Sequence, residues 1–366
     1  MVRVLQVYPQ MNNAGTEKVI MNLYENIDTS KVQFDFLVEK EGKLDEAIRK
    51  KGGKIFYLFS ESKRKYYKDL ILFFQRQPEY TIVHTHTHAR MGIVLKAAKK
   101  CGIPCRIAHS HNARNDLPPY AALIKGLMSI PMEMDANYFF ACSENAARWL
   151  FPHKIKQCGI LYNGIQLKNF LFNKDVRRIV RSNLQIDENE FVMIHVGRFA
   201  KQKNHEYLVK ILEAYSEKFG GNWKTLLVGE GPLKDEVKRQ LDEKGLSEQV
   251  IFMNNRTDVN ELLSAADMFV FPSLHEGLGI VVVEAQTNGL PCIVSDAVPQ
   301  EADMNIGLMH TLSLKQAPER WAEFINEKRV DVSTRNNYEE RIMTGKYNIE
   351  TIGLDMQQFY IQHGGK

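Results

Sequence analysis

The sequence predicts an α/β protein of two domains, each a parallel β-sheet flanked by helices. Three observations predict it. The chain has 366 residues, room for two domains of ordinary size. Short apolar, β-rich runs alternate with longer segments of helical periodicity along its length. Such runs lack strict apolar/polar alternation, which suits strands buried on both faces of a parallel sheet built from βαβ units. The pattern restarts after a polar stretch at residues 167–190, and the domain boundary is placed there.

In the first half, residues 4–8, 34–38, 55–58, 82–86, 106–109 and 138–142 read as strands. In the second half the strands are 192–196, 225–228, 250–253, 268–271 and 292–295. Helical periodicity fills 91–100, 207–218, 233–244 and 281–287, with a short basic helix at 176–183 and a last periodic segment at 349–361. Ligands of open α/β sheets bind at the carboxyl ends of the strands. Two such sheets facing each other would enclose a cleft between domains.

Composition narrows the class. Apolar residues make up 44% and charged residues 25%, a globular balance. The net charge of +4 conceals an asymmetry: residues 1–170 hold 25 Lys and Arg against 15 Asp and Glu, and residues 171–366 hold 23 against 29. A uniformly basic nucleic-acid binder is excluded on this ground, and two domains with different partners are expected. No apolar run reaches the roughly 18 residues of a membrane span, and residues 1–8 read as a strand rather than a signal peptide. The five cysteines are scattered, and Cys101 and Cys105 have no second pair to complete a zinc site, so reduced thiols in a cytoplasmic protein are expected.

Four motifs stand at strand ends. The strongest follows residues 268–271: Pro272-Ser273-Leu274-His275-Glu276-Gly277-Leu278-Gly279-Ile280-Val281-Val282-Val283-Glu284-Ala285. A glycine-containing turn before a helix start at Ile280 offers backbone N–H groups to an anion such as a diphosphate. Glu276 sits in the loop, and Glu284, two turns later, is placed to accept hydrogen bonds from sugar or ribose hydroxyls. The spacing alone also fits a strand–turn–helix with solvated glutamates. The second motif, His195-Val196-Gly197-Arg198-Phe199-Ala200-Lys201-Gln202-Lys203-Asn204-His205, ends one strand and opens a helix. Arg198 and Lys203 supply the charge-assisted hydrogen bonds that a diphosphate needs. The third, Asn12-Asn13-Ala14-Gly15-Thr16-Glu17-Lys18-Val19, follows the first strand, and Gly15 offers a backbone N–H at a helix start. It is neither G-x-G-x-x-G nor a P-loop, which weakens dinucleotide oxidoreductase and P-loop readings. The fourth, Tyr162-Asn163-Gly164-Ile165, is a turn signal.

In this order and spacing the motifs resemble the retaining nucleotide-sugar glycosyltransferases of family 4, whose GT-B fold sets two Rossmann-like domains face to face. The likeness covers almost the whole chain. Residues 11–28, Gln33-Phe34-Asp35-Phe36-Leu37-Val38 and Arg106-Ile107-Ala108-His109-Ser110-His111-Asn112 further resemble the bacterial capsule and exopolysaccharide branch. The resemblance implies that Gly15 lies against the donor diphosphate, that Arg198 and Lys203 bind it, and that Arg256 stands in the loop around the nucleobase. It implies that Glu276, Gly277, Leu278, Gly279 and Ile280 hold the transferred sugar and its phosphates, and that Glu284 binds the ribose. It also implies a last helix crossing back to the first domain, hence an acceptor domain of residues 1–168 with 346–366 and a donor domain of residues 169–345. Two departures stand out: Ala14 where the family has glycine and Gln166 where it has aspartate. Neither touches the charged diphosphate site.

Five of the eleven histidines cluster in the first half: His84, His86, His88, His109 and His111. The alternation His84-Thr85-His86-Thr87-His88 puts three imidazoles on one face if the strand continues. That raises a second reading, a metal-dependent hydrolase, although no H-E-x-x-H occurs and no acidic ligand is adjacent. The resemblance instead brings a histidine after the strand at Ile107 near the donor sugar. Register makes this His111, with His109 second, while His84 and His86 line the cleft or pack beneath it.

The expected reaction is therefore retaining transfer of a sugar from a nucleotide diphosphate sugar, UDP on family grounds, to a glycan or undecaprenyl-diphosphate-linked acceptor in polysaccharide biosynthesis. Glu276, His111, Arg198 and Lys203 are its expected catalytic group, with no metal or cofactor. The resemblance implies reaction on a single face of the sugar, a phosphate oxygen helping to deprotonate the acceptor. An epimerase or phosphorylase of the same fold, and a non-catalytic binding module, are the competing readings. Lys63-Arg64-Lys65-Tyr66-Tyr67-Lys68, the apolar run after it, and the apolar segment 117–132 with Lys125 at its centre suit docking on the anionic inner face of the cell membrane. They equally suit amphipathic helices packed on a sheet.

Overall fold

A computed structural model describes residues 1–12, 15–87, 90–111, 126 and 129–365. The chain forms two compact units, Met1–Gly164 with Ile349–Lys366, and Ile165–Asn348. The resemblance implies passages after residues 168 and 345 instead.

The first unit carries β1 (Val2–Val7), β2 (Val32–Val38), β3 (Ile55–Tyr57), β4 (Ile82–Thr85), β5 (Cys105–Ser110), β6 (Tyr138–Ala141) and β7 (Cys158–Ile160). They pair in parallel in the order β3-β2-β1-β4-β5-β6-β7. The second unit carries β8 (Phe191–Val196), β9 (Trp223–Val228), β10 (Val250–Met253), β11 (Met268–Phe271), β12 (Cys292–Ser295) and β13 (Met309–Leu312), also parallel, in the order β10-β9-β8-β11-β12-β13. The central strands β2, β4, β11 and β12 are buried along their whole length, as runs apolar on both faces require. The edge strands β7 and β13 were not among the strands expected. Both are short and only partly buried, so neither carries a continuous apolar run.

The helix Ile349–Gly364 packs on the first unit, as the resemblance implied. Its buried Tyr360 meets Phe34 of β2 edge-on, with ring centroids 5.6 Å apart. Gln357 accepts a hydrogen bond from the Asp28 backbone N–H at 2.7 Å, and Thr81 donates to the Gly364 carbonyl at 3.1 Å.

Asp35 interrupts the apolar run of β2 and is fully buried. Its carboxylate receives both arms of Arg3 from β1 at 2.5 Å, the Tyr80 hydroxyl at 2.7 Å and the Lys54 backbone N–H at 2.7 Å. Four donors leave this buried charge satisfied. Among the described residues, no helix is long and apolar enough to cross a membrane.

Removing one partner from a buried ion pair leaves the other uncompensated. Asp35→Ala is therefore expected to cost about 3 kcal/mol and lower the melting temperature of the protein by several degrees. A thermal melt that matches the parent would contradict the structural role given to this carboxylate.

Candidate active site

Both sheets reverse their strand order once, between β1 and β4 and between β8 and β11. Crossover connections leave such a point in opposite directions, so the carboxyl ends of the two central strands stay open for a ligand. In the second unit the loops after β8 and β11 meet there. Lys203 Nζ lies 2.6 Å from Glu276 Oε1, and the Ser273 hydroxyl donates to the same oxygen at 2.6 Å. The pair is largely enclosed, with side-chain exposures of 16% for Lys203 and 7% for Glu276. The ammonium also stands 4.5 Å from the centre of the Phe271 ring. The stem of Lys203 runs across Gly197, where a Cβ would come within 3.1 Å of it.

Side chains tie the two loops together. Gln202 donates to the His275 carbonyl at 2.9 Å and accepts, through its own carbonyl, the Leu274 N–H at 2.8 Å. Asn204 adopts a left-handed backbone conformation, which asparagine tolerates, and donates to the Pro272 carbonyl at 3.0 Å. Ser295 of β12 donates to the Ser273 carbonyl at 2.5 Å. Beneath these loops His205 stacks on Phe199 at 4.2 Å, and His195 donates from Nδ1 to the Val270 carbonyl at 2.9 Å.

Arg198 is exposed and lines a hollow with Gly197, Gly229, Glu230, Gly231 and Arg256. Arg256 is held by Asp258 through a 2.7 Å Nε contact. The turn Gly229-Glu230-Gly231 after β9 packs directly on the loop after β8. A Cβ at Gly229 would fall 2.1 Å from the Gly197 carbonyl oxygen, and one at Gly231 would fall 2.4 Å from that of Phe199. Only glycine fits here. These two glycines were not singled out in the sequence; the signal available was a G-x-G-P run directly after a strand. Ser273, Gln202 and Asn204 likewise lay in quoted motifs, and Ser295 at the end of an expected strand, with no role attached.

Gly277 is half-buried, and Leu278 and Gly279 are buried. Gly279, left-handed at φ 78°, precedes the helix Ile280–Thr287, and among the described residues no side chain caps that helix N-terminus. Its amide end and partial positive charge thus lie next to the Lys203–Glu276 pair in sequence and space. Glu284 is half-buried on the same helix.

Gly15 and His111 belong to the first unit. Gly15 opens the helix Gly15–Glu25 after β1. His111 follows β5 directly and meets His86, which lies just beyond the end of β4, while His84 on β4 meets His109. The His84, His86, His109 and His111 rings form one buried stack, 4.0 to 5.2 Å between neighbouring centres. The strand stops at Thr85 rather than running through the alternating histidines. His88, Ala14 and Asn112 lie outside the described residues, as does Lys125. The ligand atoms of His84, His86 and His109 fall within 4.8 Å of one another, but both ring nitrogens of His84 and of His86 already have hydrogen-bond partners.

Residues 176–341 match the family of group 1 glycosyl transferases. Over 341 residues the chain is 34% identical to EpsF of Bacillus subtilis, which carries a glycosyltransferase name, covering 88% of this chain and 86% of that protein. The chain belongs to the group 1 glycosyltransferases. It is also 25% identical over 314 residues to the UDP-Gal:alpha-D-GlcNAc-diphosphoundecaprenol alpha-1,3-galactosyltransferase of Escherichia coli, covering 80% of this chain and 78% of that one. The crystal structure of Anabaena HepE in complex with UDP superimposes with a TM-score of 0.81 at 17% identity, covering 98% of this chain and 99% of that one. The two Rossmann-like units are accordingly those of the GT-B fold.

Burial, more than any neighbouring charge, sets the histidine protonation in this glycosyltransferase. It pushes His84, His86, His109 and His195 well below the ordinary imidazole value, and with help from Lys203 it pushes His205 down to about 4. In the unfolded chain the same groups take up protons near pH 6.5. Below that the unfolded state binds more protons, so stability is complete above about pH 6.5 and is lost as the pH falls towards about 4. Urea midpoints are expected to hold between neutral and mildly alkaline pH and to fall steadily on acidification through this window. A midpoint independent of pH across it would contradict neutral burial of these rings.

Proposed function

We propose that this glycosyltransferase moves a sugar with retention of configuration from a UDP-sugar to a glycan or undecaprenyl-diphosphate-linked acceptor in polysaccharide biosynthesis, working at the cytoplasmic face of the membrane. The observation that carries it is the enclosed Lys203–Glu276 pair, with Arg198 and the uncapped helix start at Gly279, at the strand-order reversal of the second unit. An ammonium has three donors, so Lys203 serves Glu276 and a phosphate oxygen together. The UDP of the HepE complex, and the UDP-Gal and diphosphoundecaprenol in the name of the Escherichia coli relative, support the donor and acceptor classes.

In this reading Arg198 and Lys203 take the donor diphosphate, and the amide end of the helix Ile280–Thr287 adds to their field. Gly15 approaches the same diphosphate, Arg256 flanks the nucleobase and Glu284 takes the ribose. Glu276, Gly277 and the backbone from Leu278 to Ile280 hold the sugar, and His111 lies near it. The bond from the anomeric carbon to the diphosphate breaks as charge grows on the leaving phosphate. Fixed cations stabilise that charge where it develops, without reorganising. The acceptor oxygen bonds to the same face of the oxocarbenium-like carbon, and its proton passes to the departing phosphate oxygen. The cations do the work a metal would do elsewhere, so turnover needs none.

Thermal shift and slow-hydrolysis assays across UDP- and GDP-sugars test the donor. A matched donor at about 100 times its Kd adds about 2.7 kcal/mol of stability, and EDTA leaves turnover unchanged. Lys203→Ala and Glu276→Gln are expected to lose about 100-fold or more in kcat. Gly277→Ala is the control for folding: nothing lies within 4 Å of the added Cβ, so it should keep the melting temperature and lose donor affinity. Stabilisation by no nucleotide sugar, or full turnover in Lys203→Ala, would sink the reading.

The helix Lys63–Arg76 buries Tyr66, Leu70 and Phe74 and exposes Lys63, Arg64, Lys65, Lys68 and Leu72. Leu72 is 50% exposed, and Phe59, just before the helix, 61%. Cations beside exposed apolar side chains suit an anionic leaflet. Residues 117–125, 127 and 128 of the second expected patch lie outside the described residues. The protein is expected to sediment with phosphatidylglycerol vesicles at low salt and to release as salt rises. Absence of binding at low salt removes membrane docking from the proposal.

A further inference from the structure

The buried imidazoles of the first unit are wired in a defined direction. His86 Nε2 lies 2.8 Å from Gln6 Oε1, and His86 Nδ1 lies 2.7 Å from His111 Nε2. Gln6 is on β1 and is 1% exposed, His86 4% and His111 7%. An amide oxygen only accepts, so the proton sits on His86 Nε2. Burial, reinforced by the adjacent imidazoles of His84 and His111, holds His86 in the neutral form. A neutral imidazole has one N–H, so His86 Nδ1 is a lone pair and the nitrogen facing it, His111 Nε2, must donate. Neutral His111 then carries its acceptor lone pair on Nδ1.

We propose that Gln6 and His86 are positioning residues that fix the tautomer of His111, so that a hydroxyl meeting this histidine finds an acceptor nitrogen rather than an N–H donor. The role extends the reading given above, in which His111 lies near the transferred sugar. A parallel line from Tyr360, whose hydroxyl lies 2.7 Å from His84 Nδ1, runs through His84 to His109 at 3.1 Å and packs against the first. It occupies both nitrogens of His84, so the four rings act as two hydrogen-bonded pairs. The wrong tautomer would turn an N–H towards the hydroxyl and remove the acceptor that orients it.

Long-range proton–nitrogen correlation spectra of the whole protein labelled with 15N-histidine read tautomers directly, without substrate. The His111 signals, assigned by their loss in His111→Gln, are expected in the Nε2–H pattern at neutral pH. Gln6→Glu replaces the amide by a carboxylate, which favours a second proton on His86; its Nδ1–H then donates to His111 Nε2, so the His111 signals should move to the Nδ1–H pattern and kcat should fall. Gln6→Leu removes the acceptor and should give a mixture of His111 tautomers, with kcat lower by about tenfold or more and donor KM within about twofold. If Gln6→Leu fails to fold, the parent and Gln6→Glu spectra still decide. An Nδ1–H pattern in the parent, an unchanged His111 signal in Gln6→Leu, or collapse of these signals on one equivalent of Zn²⁺ would overturn the proposal, the last in favour of a metal site. Expected spectra from a protein that turns over no nucleotide sugar would instead count against the sugar-transfer reading alone.

Discussion

A parallel sheet whose strand order turns back beside its first strand leaves the carboxyl ends of two neighbouring strands uncovered, and the chemistry of both units follows from that constraint. At the β8/β11 reversal two loops emerge side by side. Left to themselves such loops would sample many conformations, and ordering them would consume binding energy. Gln202, Asn204 and Ser295 fasten one loop to the other and to β12 through main-chain oxygens, and Ser273 holds the Glu276 carboxylate within its own loop. The position of Lys203, between Glu276 and the Phe271 ring, is thereby fixed in the protein alone.

The two units handle buried polar groups by different means. The second pairs full charges, and its Lys203–Glu276 contact is short, enclosed and supported by a third hydrogen bond. The first keeps its buried ion pair, Arg3–Asp35, away from the strand reversal and stacks neutral rings at the ends of β4 and β5, where their nitrogens pair with one another. The charge division along the chain predicts the opposite, because the basic half holds the neutral cluster and the acidic half the cations. Charges more than about 8 Å apart in solvent are largely screened, so the field at the site belongs to its immediate neighbours and not to the domain total.

What the sequence disclosed, and what it withheld, divides along the same physical line. Central strands were legible because burial on both faces leaves continuous apolar runs; β7 and β13, at sheet edges and partly exposed, carry no such mark. Arg198, Lys203 and Glu276 stood out because their motifs directly follow apolar strands, and the structure brings Lys203 and Glu276 together there. Gly229 and Gly231 did not stand out, since their requirement arises from carbonyls about thirty residues away in another loop. Alternation put His84 and His86 on one face, but Gln6 and Tyr360, which complete their hydrogen bonds, are 80 and 276 residues distant in the chain. No local pattern encodes a partner at that range.

That last separation bears on how the protein is made. The second unit is continuous, from Ile165 to Asn348, and can fold as soon as it leaves the ribosome. The first is interrupted: its sheet emerges early, while Tyr360, Gln357 and the rest of the helix Ile349–Gly364 arrive only after the whole second unit has been synthesised. Until then Phe34 lacks the Tyr360 ring and His84 lacks its hydroxyl partner. The imidazole pairs thus reach their final arrangement last, which ties competence of the first unit to prior translation of the second.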